Sequence, residues 1–119
     1  MKKPVAEKPL AWVGSTYRDI TDERIFPAAA RREAGHQLNT VQHGADPDKW
    51  KPFDDVGPGA KEIIIDLDDG WYRVMFVAKF AEAVYVLHCF KKKTNVTSDK
   101  DKKIATDNYR AVIARRSCK

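Results

Sequence analysis

Between Ala60 and Lys92 the chain reads as three successive runs of apolar, β-branched and aromatic residues: "AKEIIIDL", "GWYRVMFVAKF" and "AVYVLHCFKK". Connections this short force antiparallel neighbours, because a parallel return needs a crossover of about a dozen residues. An antiparallel three-strand meander is therefore the expected centre of the fold. Asp69 and Gly70 turn the first run into the second, and Ala81 with Glu82 forms a tight connection from the second to the third. Alternation assigns the faces: Tyr72, Val74, Phe76, Ala78 and Phe80 share one, and Trp71, Arg73, Met75, Val77 and Lys79 share the other. With Phe80 and Ala83 flanking the turn, Met75 opposes His88, Arg73 opposes Phe90 and Trp71 opposes Lys92, all on the second face. Val86 follows these residues, while Tyr85, Leu87 and Cys89 join the apolar set that helices should cover. A slip of one residue would exchange the two faces.

The remaining elements fit around that hairpin. "PLAWVG" reads as a short strand closed by Gly14, and Ser15 can cap a weakly patterned helix over "STYRDITDERIF". Pro27 suits the first turn of a second helix, whose stripe is Ala30, Ala34, Leu38 and Val41 and whose stop is Gly44. These two helices predict an antiparallel pair on one face of the sheet. "GADPDKWKPFDDVGPG" is too rich in Pro, Gly and Asp for regular structure, and reads as a packed loop pinned by Trp50, Phe53 and Val56. Ser98 caps a closing helix with Ile104, Ala105, Tyr109, Val112 and Ile113 along one side. The expected class is α+β in the order β-α-α-β-β-β-α, with a sheet of about four strands. One domain over residues 9–117 follows a frayed tail at 1–8.

Charge divides the chain. Residues 1–60 carry nine basic and nine acidic residues, whereas residues 61–119 carry thirteen and eight, so the net charge of +5 belongs to the half containing "KKK". A polyanion such as nucleic acid is the simplest partner for that half, and a solvated surface is the plainer alternative. Cys89 and Cys118 are the only cysteines, far apart and with no zinc-like spacing, so neither a disulfide framework nor a metal site is expected. No run has the apolar length of a membrane span or signal peptide, and a cytoplasmic protein is expected.

The second sheet face thus gathers an arginine, a histidine, lysines and aromatic rings, with Lys91, Lys92, Lys93 and Thr94 at its edge. Cations hold phosphates, rings stack on unpaired bases, and a His or Lys can move the proton of a 2'-hydroxyl. An always-charged Arg can stabilise a pentacovalent phosphate. Each group has a plainer reading. Arg73 can pair across strands with Glu62 or Asp66, His88 can be a satisfied interior histidine, and the lysine run can protect an edge strand. Trp71 and Phe90 can be packing residues. On residues alone, this is a small basic α/β domain suited to nucleic acid.

"PLAWVGSTYRDI", "FPAAARREAGHQLNTVQHG", "WKPFDDVGPGAKEI" and "YRVMFVAKFAEAVYVLHCFKKKT", with the closing helix, together resemble the phage-derived, HigB-like branch of the RelE toxin superfamily. The likeness runs over nearly the whole chain from Pro9. It implies the toxin of a type II toxin-antitoxin pair: an mRNA endoribonuclease acting on the translating ribosome and neutralised by a cognate antitoxin of helix-turn-helix type. Members use no metal or cofactor, and the RNA's own 2'-hydroxyl attacks the adjacent phosphate. By the resemblance Arg73 binds the phosphate and its transition state. Lys91, Lys92 and Lys93 hold the RNA backbone, Lys92 being placed to protonate the leaving oxygen, and His88 is a candidate for proton transfer. Lys61, which with Glu62 opens the strand after "WKP", joins Lys79, Phe90 and Thr94 in the RNA-binding set. One departure is visible: where several superfamily members carry a catalytic Tyr or acid at the start of the last helix, "NVTSDKDKK" offers Asp99 and Asp101 and no Tyr. The alternatives are a non-catalytic nucleic-acid-binding module and a phage-derived interaction module.

Overall fold

The computed structural model describes residues 7–118, so most of the expected tail at 1–8 lies outside the described residues. The elements are β1 (Leu10–Trp12), α1 (Thr16–Thr21), α2 (Ala28–Gln42), β2 (Trp50–Pro52), β3 (Ala60–Leu67), β4 (Gly70–Val77), β5 (Val84–Lys92) and α3 (Asp99–Ser117). They form an α+β fold around one five-stranded mixed sheet in the order β1-β5-β4-β3-β2. β1 runs parallel to β5, and every other pairing is antiparallel.

The strand count and order differ from the expected four-strand arrangement because the "WKP" segment is itself a strand. Trp50, Lys51 and Pro52 pair with Ile63, Glu62 and Lys61. A proline is tolerated there because β2 lies at the sheet edge. The rest of this segment is pinned by packing, with Val56 buried and the Tyr109 hydroxyl donating to the Pro58 carbonyl at 2.6 Å. A Cβ at Gly57 would come within 2.6 Å of the Tyr109 ring, so the ring can lie flat only over glycine.

α2 follows its stripe: Ala30, Ala34, Leu38 and Val41 are all buried, and the helix stops before Gly44, whose φ is +90°. With Ile20 and Phe26 they cover Ile63, Ile65, Tyr72, Val74, Phe76, Val86 and Cys89. Ser15 stands at the N-cap of α1, but its hydroxyl donates to Asp19 Oδ2 at 2.8 Å instead of accepting a backbone N–H. Ser98 does cap α3, its oxygen accepting from the Asp101 amide. α3 lies on the opposite face, where Ala105, Tyr109 and Val112 pack with Met75, Val77, Tyr85, Leu87 and Phe90. Ile113 of the expected stripe is exposed.

The register of β4 on β5 matches expectation over one half only. Trp71–Lys92, Arg73–Phe90 and Met75–His88 oppose each other, but beyond Met75 the ladder shifts by one residue, so that Phe76 opposes Val86 and Val77 opposes Tyr85. The expected two-residue turn at Ala81–Glu82 is instead a connection over residues 78–83, and the extra residue is taken up as a bulge at Leu87. Consequently Val86 joins the α1/α2 core while Tyr85 and Leu87 join the α3 core, the reverse of simple alternation. The β3–β4 turn likewise lies one residue earlier than expected, with Leu67 opposite Gly70.

Candidate nucleic-acid interface

The sheet face under α3 changes character along its width. Toward β5 it is apolar and covered. Toward β3 and β2 it carries charge, because alternate positions of β3 on this side are Glu62, Ile64 and Asp66, opposite Met75, Arg73 and Trp71. Lys51 on β2 faces Glu62 across the ladder.

Arg73 is the centre of this patch and is 7% exposed. Its Nη1 donates to Asp66 Oδ1 at 2.8 Å and to the Tyr72 carbonyl at 2.9 Å, and its Nε stands 3.8 Å from Glu62 Oε1. Glu62 is wholly buried, with Lys51 Nζ at 3.5 Å from Oε1 and the Thr97 hydroxyl donating to Oε2 at 3.5 Å. Lys49 Nζ is 3.8 Å from Asp66 Oδ2. Burying a carboxylate this deeply is costly without opposite charge beside it, and Glu62 has two cations within 4 Å. Both cross-strand pairings open to Arg73 from sequence are therefore made at once.

Lys92 is buried beside this group, and its Nζ donates to the Asn95 carbonyl at 2.8 Å. Burial first, and the Arg73 charge second, lower its pKa from the ordinary lysine value. An ammonium so placed gives up its proton more readily than a surface lysine, as a general acid requires. Lys49, Lys51, Arg73 and Lys92 stand against Glu62 and Asp66, which leaves this patch positive.

The structure separates the other expected site residues. His88 is 6% exposed, stacked on Phe90 at 4.6 Å between ring centroids, and its Nε2 lies 2.7 Å from Asp101 Oδ1. Its Nδ1 is sealed without a partner. With one ring nitrogen engaged and the other enclosed, His88 ties β5 to the first turn of α3; Asp101 is held in turn by the Ser98 hydroxyl at 2.8 Å. Phe90, buried under the same helix, has no free face for a base. Lys61 points to the α2 side, paired with Asp46 at 3.0 Å and lying 4.4 Å above the Trp50 ring. With Lys79 and Lys8 it lines a separate cleft beside Phe76 and Ala78. Lys91 also lies on the α2 side, its Nζ 5.5 Å from the Tyr72 ring centroid. The "KKK" run is thus split by strand alternation, and only Lys92 joins Arg73. Lys91, Lys93 and Thr94 remain exposed and rim a cleft with Lys100, which sequence reading did not single out. It also missed Lys49 and Lys51, whose signal was their alternate spacing before a strand with acids at alternate positions.

Residues 24–110 match the family described as Phage derived protein Gp49-like (DUF891). The chain belongs to the Gp49-like family. It is a toxin-antitoxin related, RelE-like family. The Gp49-like span runs from the approach to α2 well into α3 and contains Lys51, Glu62, Arg73 and Lys92. No curated protein and no solved structure matches the chain. Among the described residues, no helix is long and apolar enough to cross a membrane.

Proposed function

We propose that this Gp49-like chain is the toxin of a type II toxin-antitoxin pair, of HigB-like type, with residues 9–117 as its one domain. In this reading it is a ribosome-dependent mRNA endoribonuclease of the cytoplasm that a cognate helix-turn-helix antitoxin neutralises. The observation that carries the proposal is the side-by-side placement of Arg73 and a buried Lys92 that readily releases its proton, on a positive, partly open sheet face. Arg73 holds the non-bridging oxygens of the scissile phosphate as negative charge builds on them. The RNA 2'-hydroxyl attacks that phosphate, and Lys92 delivers a proton to the departing 5'-oxygen. Asp66, hydrogen-bonded to Arg73 and open to solvent, is the carboxylate within reach of the 2'-hydroxyl proton. Lys91, Lys93 and Thr94, with Lys100, guide the backbone along the rim, and Lys61 and Lys79 supply a second, more distant contact. His88 and Phe90 serve the site by holding α3 beside it.

Expression without an antitoxin should arrest growth and translation and produce new RNA 5' ends bearing hydroxyl groups, and Arg73→Ala should relieve both. Normal growth with abundant wild-type protein and no new ends would overturn the reading. One observation favours a second reading: Arg73 is already engaged by Asp66 and Glu62, as in a domain that binds nucleic acid without cutting it. That version predicts salt-sensitive RNA binding with no new ends.

A further inference from the structure

Trp71 is 39% exposed, one of few large apolar side chains left open. The other two tryptophans are occupied: Trp12 packs edge-on against Tyr17 at 5.4 Å, and Trp50 lies under the Lys61 ammonium. Among the described residues no aromatic ring or cation is stacked on Trp71. Its backbone lies opposite Asp66 on one side and Lys92 on the other, and it shares the sheet face of Arg73 two residues along the strand. That spacing is about 6.6 Å, a nucleotide-sized step.

We infer that Trp71 is the stacking platform for an unpaired nucleobase adjoining the phosphate held at Arg73 and Lys92. The inference rests on the RNA-directed reading of this face and adds a specificity element to it. An apolar partner side chain would cover the ring but leave the surplus cations around it unanswered. Single-stranded RNA answers both, offering a π-face to the ring and phosphates to Arg73, Lys92, Lys49 and Lys51. Because stacking strength grows with ring area, this position favours a purine over a pyrimidine.

The test uses the full chain and short 2'-O-methyl oligonucleotides, which lack the attacking hydroxyl and are not cut. In a chain carrying Trp12→Phe and Trp50→Phe, 2'-O-methyl oligoadenylate should quench the remaining tryptophan emission, and an abasic strand of equal length should not. In the otherwise unaltered chain, Trp71→Ala should weaken oligoadenylate binding by about tenfold or more, Trp71→Phe should restore most of it, and abasic-strand binding should be unchanged. Anisotropy on these single variants serves even if the double tryptophan variant fails to fold. Equal loss for abasic and base-bearing strands, or no loss for either, would overturn the platform. Since no cleavage enters the measurement, the absence of RNA cutting in cells would count against the nuclease reading alone.

Discussion

The two faces of the sheet are built from the same strands, yet they solve opposite problems. On the α2 side, Ile63, Ile65, Tyr72, Val74 and Phe76 meet Ala30, Ala34 and Leu38 in a sealed apolar layer. On the α3 side, the intervening positions of β3 and β4 mix Glu62, Asp66 and Arg73 with Ile64, Trp71 and Met75. α3 seats itself over Met75, Leu87 and Phe90 and leaves the β2 edge open. One face is held by excluding water; the other joins an apolar part under α3 to charges that compensate one another, buried at Glu62 and Arg73 and open to solvent at Asp66, Lys49 and Lys51. The comparison teaches that the polar half is a strained environment for any member whose partner is removed.

The largest expected effect breaks that compensation. Glu62→Ala leaves Arg73, Lys51 and Lys92 facing one another, and should destabilise the fold by about 3–5 kcal/mol in urea denaturation. Leu38→Ala on the apolar face should cost about 3 kcal/mol and leave RNA affinity intact in the folded fraction. A near-neutral Glu62→Ala beside a costly Leu38→Ala would mean that the polar face is solvated after all.

Lys92→Met sharpens the same contrast, because it removes a charge that burial disfavours. It should leave stability unchanged or raised while lowering cleavage by about a hundredfold or more, measured on single-turnover RNA substrates. The pH signature follows from the lowered pKa. Between that lowered value and about 10.5 the unfolded chain binds more protons than the native one, so wild-type stability gains from rising pH through this window. Urea midpoints taken through this alkaline range should show a contribution in wild type that Lys92→Met lacks.

The smallest effect lies away from both faces. Arg116 donates to Glu82 at 2.6 Å and, with help from the Tyr85 hydroxyl, lowers the Glu82 pKa to about 2. A carboxylate depressed in the native state adds stability above its unfolded pKa, and that contribution disappears as pH falls from about 4.5 toward 2. Arg116→Ala should move the Glu82 titration, followed by carboxyl NMR shifts, back toward 4.5 and lower the urea midpoint slightly at neutral pH, a loss that fades as pH falls toward 2.

Much of the architecture was legible because periodicity carries it. Ala30, Ala34, Leu38 and Val41 named the buried side of α2, and the Arg73–Phe90 pairing followed from alternation. β2 was hidden because Pro52 reads as a loop signal and its strand character comes from pairing with β3. The bulge was hidden for a similar reason: one unpaired residue in a ladder leaves no mark in a run as uniformly apolar as "AVYVLHCF". The Arg73–Lys92 side of the charged patch was visible in the register. The enclosure of His88 and Phe90 was not, because nothing in the strands says on which face α3 will lie. Alternation places Lys79 on the Arg73 face, but β4 ends at Val77 and the 78–83 connection carries Lys79 elsewhere; Lys61 comes from the resemblance, and its position on β3 turns it to the α2 side.

The bulge at Leu87 also sets the phase between the two ends of β5. Upstream of it odd-numbered residues face α3; downstream the even-numbered ones do. The strand's length is therefore as consequential as its composition. Deleting the single residue Leu87 would leave hydropathy almost untouched, yet force one end of the strand to turn its inside outward. Either Val84 and Val86 would lose their seat against the α2 layer, or Lys92 would leave Arg73. A change of side chain at this position weakens packing, whereas a change of count rewires which chemistry the sheet displays.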